Sequence, residues 1–259
     1  MKSKLIVNTR AVAHKDRFTA LVSSDTAEIV ELNLTYSDSL NISIESKEKI
    51  SQANWLVFTS PNGVLSFFQD LNFVVLPHQK VAAVGAGTES YLGQFGVTAS
   101  IVSDEGNSKD LVRLLLDEVV SSEKILHLRG EHGSNYIVET LSGKGFLVEQ
   151  LPIYKVIEKN LSEQDQKNLE YVSSQLNLQS KMPSKMPSRI TSRTVFLLVS
   201  SMLGFKIISK LFSKEELLKV RFLVVGEKLN QIIIDSGYES YLAKNNRIED
   251  LAEYINSIV

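Results

Sequence analysis

Four places in the sequence put hydroxyls, amides or glycines where an apolar strand gives way to a helix. Thr59-Ser60-Pro61-Asn62-Gly63 follows WLVF, and Gly85-Ala86-Gly87-Thr88 follows KVAAV. Ser200-Ser201 and Gly226-Glu227-Lys228 follow two later runs, VFLLV and RFLVV. Serine or threonine before a helix caps its first turn, and proline fits the first helical position. Free N–H groups there, aided by the helix dipole, favour an anion by about 0.3–1 kcal/mol each. Residues at the carboxyl ends of parallel strands also face the ligand crevice of open α/β folds. Four such turns predict a site for a polyanion, held by dipoles and hydroxyls more than by net charge.

Other chemistries lack their residues. There is no cysteine, so disulfides, thiolate metal sites and cysteine nucleophiles are excluded. His14, His78, His127 and His132 form no HExxH pair or other ligand spacing, and no GxSxG elbow or Walker loop occurs. His127 lies in a predicted strand and reads as a satisfied core or edge residue. Gly85-Ala-Gly87 begins like a dinucleotide fingerprint, but Ser90 stands at its third glycine. With 28 basic against 30 acidic residues, the chain has no broad basic surface for nucleic acid.

The elements that must position these turns alternate regularly. Short β-branched runs, among them Leu5–Asn8, Glu28–Leu34, Lys124–Leu128 and Leu147–Val156, alternate with amphipathic stretches such as Leu111–Val120. That rhythm predicts an α/β protein with mainly parallel sheets flanked by helices. An internal repeat, offset by 140 or 141 residues, places Ser60 over Ser200, Val84-Gly85 over Val225-Gly226 and Gly96 over Gly237. Two similar domains follow. The first copy is complete, whereas the second lacks its opening strands, which Leu5 to Leu34 can supply. The predicted layout is therefore domain one from 1–36 plus 157–259, with domain two, 37–156, inserted. Two crossing strands would form a hinge, with the ligand cleft between the domains.

Residues 171–193 carry Lys181, Lys185, Arg189 and Arg193 without an acid, leaving 24 bases against 30 acids elsewhere. The tandem KMPS within about 177–193 reads as a solvated, basic low-complexity loop. No apolar stretch approaches the roughly 20 residues that span a bilayer, so no membrane role and a cytoplasmic location are expected.

Asn54-WLVFTSPNGV, VGAGT at Val84–Thr88 followed by Gly96, HLRG at 127–130 and LPIYKV at Leu151–Val156 resemble the uroporphyrinogen-III synthase family. Thr9-Arg10 after the first strand matches as well, and the resemblance spans essentially the whole chain. It implies a cofactor-independent lyase of heme biosynthesis that uses no metal, and a monomer is the simplest expectation for a hinged enzyme. The enzyme would close hydroxymethylbilane, a linear tetrapyrrole with eight carboxylates, to uroporphyrinogen III. The fourth pyrrole ring is inverted and water is lost.

The resemblance also assigns residues. Tyr154 would be the general acid that assists departure of the terminal hydroxyl. Thr59, Ser60, Asn62, Gly85 and Thr88 would bind acetate and propionate groups from the inserted domain. Ser200, Ser201 and Lys228 would do so from the other, and Arg10 and Arg129 would be the carry-over bases. The sequence departs from the family at Gly226-Glu-Lys-Leu229, where Leu229 replaces a hydroxyl. It also lacks a further arginine after Arg129. The alternative is a catalytically degenerate two-domain α/β ligand-binding protein.

Overall fold

The structure, a computed structural model, describes residues 2–10, 15–180, 193–244 and 247–258. The chain forms two compact units. Unit 1 joins Met1–Tyr36 to Ile157–Val259, and unit 2 is the continuous stretch Ser37–Val156.

The first stretch supplies β1 (Lys4–Asn8), α1 (Lys15–Leu21) and β2 (Ala27–Glu31). The chain passes through β3 (Thr35–Ser39) into α2 (Ile44–Gln52), β4 (Trp55–Phe58), α3 (Pro61–Leu65) and β5 (Lys80–Val84). Next come α4 (Gly85–Gln94), β6 (Ile101–Ser103), α5 (Ser108–Glu118), β7 (Lys124–Gly130), α6 (Tyr136–Ser142) and β8 (Leu147–Glu158). The return stretch adds α7 (Glu163–Ser180), β9 (Thr194–Val199), α8 (Met202–Leu211) and α9 (Lys214–Leu217). It ends with β10 (Val220–Val224), α10 (Glu227–Asp235), β11 (Glu239–Leu242) and α11 (Ile248–Ser257).

Unit 1 is a parallel sheet in the order β11-β10-β9-β1-β2. Its central strands have mainly apolar interiors because both faces are covered. Leu5, Val7, Val195, Leu197 and Val199 pack on one side, and Ile6, Phe196 and Leu198 on the other. Fully burying one such side chain contributes about 1.5–3 kcal/mol. Lys4 ties the opening strand to the last helix: its buried ammonium donates to the carbonyls of Ile255 and Ile258 at the C-terminus of α11.

Unit 2 has the order β3-β8-β7-β4-β5-β6, parallel from β8 to β6. Bonds from Leu40 N–H to the Ile153 carbonyl and from Lys159 N–H to the Leu34 carbonyl make β3 antiparallel to β8. Written as β6-β5-β4-β7-β8, the five parallel strands repeat the order of unit 1. The difference is a permutation. The strand–helix–strand β7-α6-β8 closes unit 2, whereas its counterpart β1-α1-β2 opens unit 1.

The structure changes four sequence expectations. Ser60 caps α3 through Gly63 N–H, and Ser201 caps α8 through Gly204 N–H. The true counterpart of Ser60 is therefore Ser201, not Ser200, at an offset of 141. The run Glu28–Leu34 is not one strand: β2 ends at Glu31 and the backbone leaves toward β8. Leu32 and Leu34 stay buried, so the apolar alternation does not register the break. Helix α7 continues to Ser180, so the expected loop start at 177 is too early. Lys181, Lys185 and Arg189 lie outside the described residues. Arg193 is no part of the expected solvated loop: it is buried, 2.6 Å from Glu28 and 2.9 Å from the Lys4 carbonyl. Among the described residues, no helix is long and apolar enough to cross a membrane.

Candidate active site

In unit 2, β4 ends at Phe58 and the chain turns through Thr59 to Ser60. Ser60 adopts extended backbone, its Oγ accepts the Gly63 N–H at 3.2 Å, and Pro61 opens the helix. The same Oγ lies 2.7 Å from the Tyr154 hydroxyl on β8. Helix α3 runs on into a π-helical turn, Ser66–Asp70, whose first residue donates from Oγ to the Ile153 carbonyl at 3.0 Å. Two hydroxyls one helix apart thus fasten α3 to consecutive residues of β8.

Tyr154 sits in a slot lined by glycines. A Cβ on Gly63 would lie 3.6 Å from its ring, and one on Gly130 only 3.0 Å from Cζ and 3.1 Å from the phenol oxygen. Gly130 pairs with Tyr154 where the β7–β8 register shifts, and Glu131 N–H donates to the Tyr154 carbonyl at 2.8 Å. The tyrosine is 7% exposed. Burial pushes its pKa above the ordinary 10, partly opposed by the Ser60 hydroxyl and the Arg129 charge. The phenol therefore keeps its proton at neutral pH.

Arg129 is 5% exposed and does not project into solvent. Its guanidinium donates to Asn135 Oδ1 and Gln150 Oε1, each at 2.6 Å, and to the carbonyls of Gly130, Glu131, Gly133 and Ser134. The sequence reading makes it a binding base. The structure instead makes it the post around which residues 130–135 are wound.

His127, two residues earlier on β7, is 2% exposed. Its Nε2 lies 3.2 Å from Thr59 Oγ1, and its Nδ1 is buried without a hydrogen-bond partner among the described residues. It is only half satisfied, contrary to the expectation of a fully satisfied core histidine. Burial, reinforced by the Arg129 charge, pushes its pKa down from 6.5 to about 4. The unfolded chain then takes up a proton near pH 6.5 but the folded one only near pH 4. The stability present above pH 6.5 is lost as pH falls through about 4, roughly 3 kcal/mol in all. Urea titrations of wild type and His127→Gln across pH 4–7 should show the steeper dependence in the wild type. Parallel curves would contradict this reading.

Asn62 is the second residue of α3 and half-buried, within the same turn as Ser60. The next strand end, after β5, carries Gly85 and Thr88. Gly85 has φ +72°, and a Cβ there would come within 3.1 Å of the Gly106 backbone. Gly85→Ala should therefore lower stability by about 1–3 kcal/mol in denaturant titration. Thr88 is 2% exposed, and Leu229, at its 141-residue counterpart, is 6% exposed in the core of unit 1. The leucine is thus a packing residue at a place where the hydroxyl is also enclosed.

Unit 1 repeats the pattern with different side chains. Half-buried Arg10 follows β1 and is the register counterpart of Arg129; its N–H donates to Asn8 Oδ1 at 3.3 Å. After the adjacent β9, Ser200 is exposed and Ser201 caps α8. Lys228 is exposed in the first turn of α10, whose cap residue, Gly226, has no side chain.

Sequence reasoning brings Tyr154, Ser60, Thr59 and Arg129 into the site but misses His127, Gly130, Asn135 and Gln150. A polar residue inside the apolar strand KILHL was the available signal for His127. A separate cavity of about 320 Å³ lies at the opposite, amino end of β7 and β8. Its Lys49 is bound by Glu149 at 2.8 Å and its Lys124 by Gln52 at 3.1 Å, away from the phenol.

Comparison with known proteins follows the same lines. The solved structure of uroporphyrinogen-III synthetase from Helicobacter pylori superposes with a TM-score of 0.62 at 16% identity, covering 97% of both chains. A mutant uroporphyrinogen III synthase from Thermus thermophilus gives 0.53 at 14% identity, again over 97% of each. The fold is therefore the two-unit, mainly parallel α/β fold of those solved structures. The family model described as uroporphyrinogen-III synthase HemD matches residues 16–253. This chain belongs to that family. A porphyrin biosynthesis protein HemD from Ruminiclostridium josui is 27% identical over 112 residues, 41% of this chain but only 22% of that protein's length.

Proposed function

We propose that the protein converts hydroxymethylbilane to uroporphyrinogen III with loss of water, as a lyase of tetrapyrrole synthesis. The observation that carries this reading is the protonated, enclosed Tyr154 held 2.7 Å from a helix-capping serine. Ser60 Oγ accepts the Gly63 N–H, which leaves its own O–H to donate to the phenol oxygen as that oxygen gains charge. Tyr154 gives its proton to the departing terminal hydroxyl, which leaves as water, and the chain becomes an azafulvenium cation, that is, a protonated azafulvene, opposite the phenolate. The nearby Arg129 charge favours the transient phenolate. Ring closure through the spiro intermediate releases a proton from carbon, which restores the phenol.

Carboxylates of the substrate are proposed to meet the donors of Thr59, the Ser60 backbone N–H, Asn62 and the Gly85 turn in unit 2. Arg10, Ser200, Ser201 and Lys228 are proposed as the corresponding donors of unit 1. Holding the chain in the geometry that inverts the last ring is then mostly a matter of orientation.

The deciding experiment incubates purified protein with hydroxymethylbilane and separates the products by chromatography. The III isomer should dominate. Formation of only the uninverted isomer, as in buffer, would refute the reading. Bilane binding without conversion would identify a degenerate binder instead.

A further inference from the structure

Thr59 and His127 face each other on the sheet side covered by α5 and α6, beside the Ser60–Tyr154 pair but not joined to it. The hydroxyl has a single hydrogen, so the histidine tautomer decides which way that hydrogen points. If Nε2 accepts from Thr59, Nδ1 must carry a hydrogen that is buried without an acceptor. The threonine then shows only lone pairs to a ligand. If Nε2 carries the hydrogen, it donates to Thr59 Oγ1, and Nδ1 is merely an unfilled acceptor. Orphaned buried N–H groups are rarer than under-used acceptors. An imidazolium would need two acceptors where the site offers one, with the Arg129 guanidinium on the same strand face.

We propose that His127 is a positioning residue: bare at Nδ1 and protonated at Nε2, it donates to Thr59 and frees the threonine O–H to donate to a substrate carboxylate. This deepens the proposed function and rests on it for the identity of the carboxylate. The tautomer itself requires no substrate.

Long-range ¹H–¹⁵N NMR of the labelled full-length protein at neutral pH tests the tautomer directly. An unprotonated Nδ1 beside a protonated Nε2 is expected. A hydrogen on Nδ1, alone or in an imidazolium, overturns the proposal whether or not the protein is a synthase. Kinetics test the consequence. His127→Leu and Thr59→Val should each raise KM for hydroxymethylbilane about tenfold with kcat little changed, the weaker end of losing a hydrogen bond to a charged group. The double variant should be no worse than Thr59→Val alone. His127→Gln, whose amide nitrogen can replace Nε2–H, should recover most of the affinity. An unchanged KM in folded His127→Leu, or additive losses in the double variant, would remove the positioning role.

Discussion

Tyr154→Phe should lower kcat for hydroxymethylbilane about 100-fold, near the lower end of what a lost general acid costs. The phenylalanine ring still fits between Gly63 and Gly130, and Ser60 still caps α3, so the fold should survive. Losing one hydrogen bond predicts a stability change of only about 1 kcal/mol. KM should hardly move, because in the proposed reaction the phenol acts on the departing hydroxyl and not on the carboxylates. The residual product should still be the III isomer, since the inverted geometry is set by binding. Quench-flow kinetics with chromatographic product analysis check both parts. Full activity would remove the acid role. Residual product of the uninverted isomer would instead show that the tyrosine helps to shape the bound chain.

The second large effect concerns stability. Arg129→Met keeps the length of the side chain but removes a donor from six acceptors, of which the Gly130 carbonyl keeps the Gly133 N–H and Asn135 Oδ1 keeps the Gln150 amide. With hydrogen bonds to a charged group worth about 1.5–3 kcal/mol each and some acceptors recovered by water, a net loss of about 3 kcal/mol is expected. It should appear as a lower urea midpoint with little change in slope. Arg129→Lys should fall between the two, because a point charge cannot satisfy the fork of acceptors. Turnover should drop in both variants, since the slackened loop includes Gly130 and the Glu131 N–H that hold Tyr154. A loss below about 1 kcal/mol would mean that the loop keeps its shape without the guanidinium.

How much was legible in the sequence follows from the kind of signal each feature leaves. Central strands such as KLIVN and TVFLLV are apolar at every interior position because both faces are covered, and local composition reports that. The inserted layout was readable because strand-end serines, Val-Gly turns and helix-ending glycines recur at an offset of 140 or 141 residues. The one-residue slip between Ser200 and Ser201 was not readable, since adjacent serines satisfy either alignment and only the Gly204 bond decides. Arg129 read as a binding base because its type and position at a strand end fit an anion. Its actual acceptors are mainly backbone carbonyls, which no sequence displays. His127 failed for a related reason, because its partner Thr59 is 68 residues away and meets it only through the β4–β7 register.

The permutation of unit 1 has a consequence for synthesis on the ribosome. Unit 2 is contiguous and can fold once Val156 has cleared the exit tunnel. The apolar strand KLIVN emerges first but must wait for its neighbour TVFLLV, made about 190 residues later. At translation rates of roughly 5–20 residues per second, that wait is about 10–40 s. During it, one edge of a strand with an apolar middle is open to wrong partners. The nascent chain should therefore depend on holdase chaperones more heavily than its ordinary size and composition would suggest, and that demand should fall away once β9 docks.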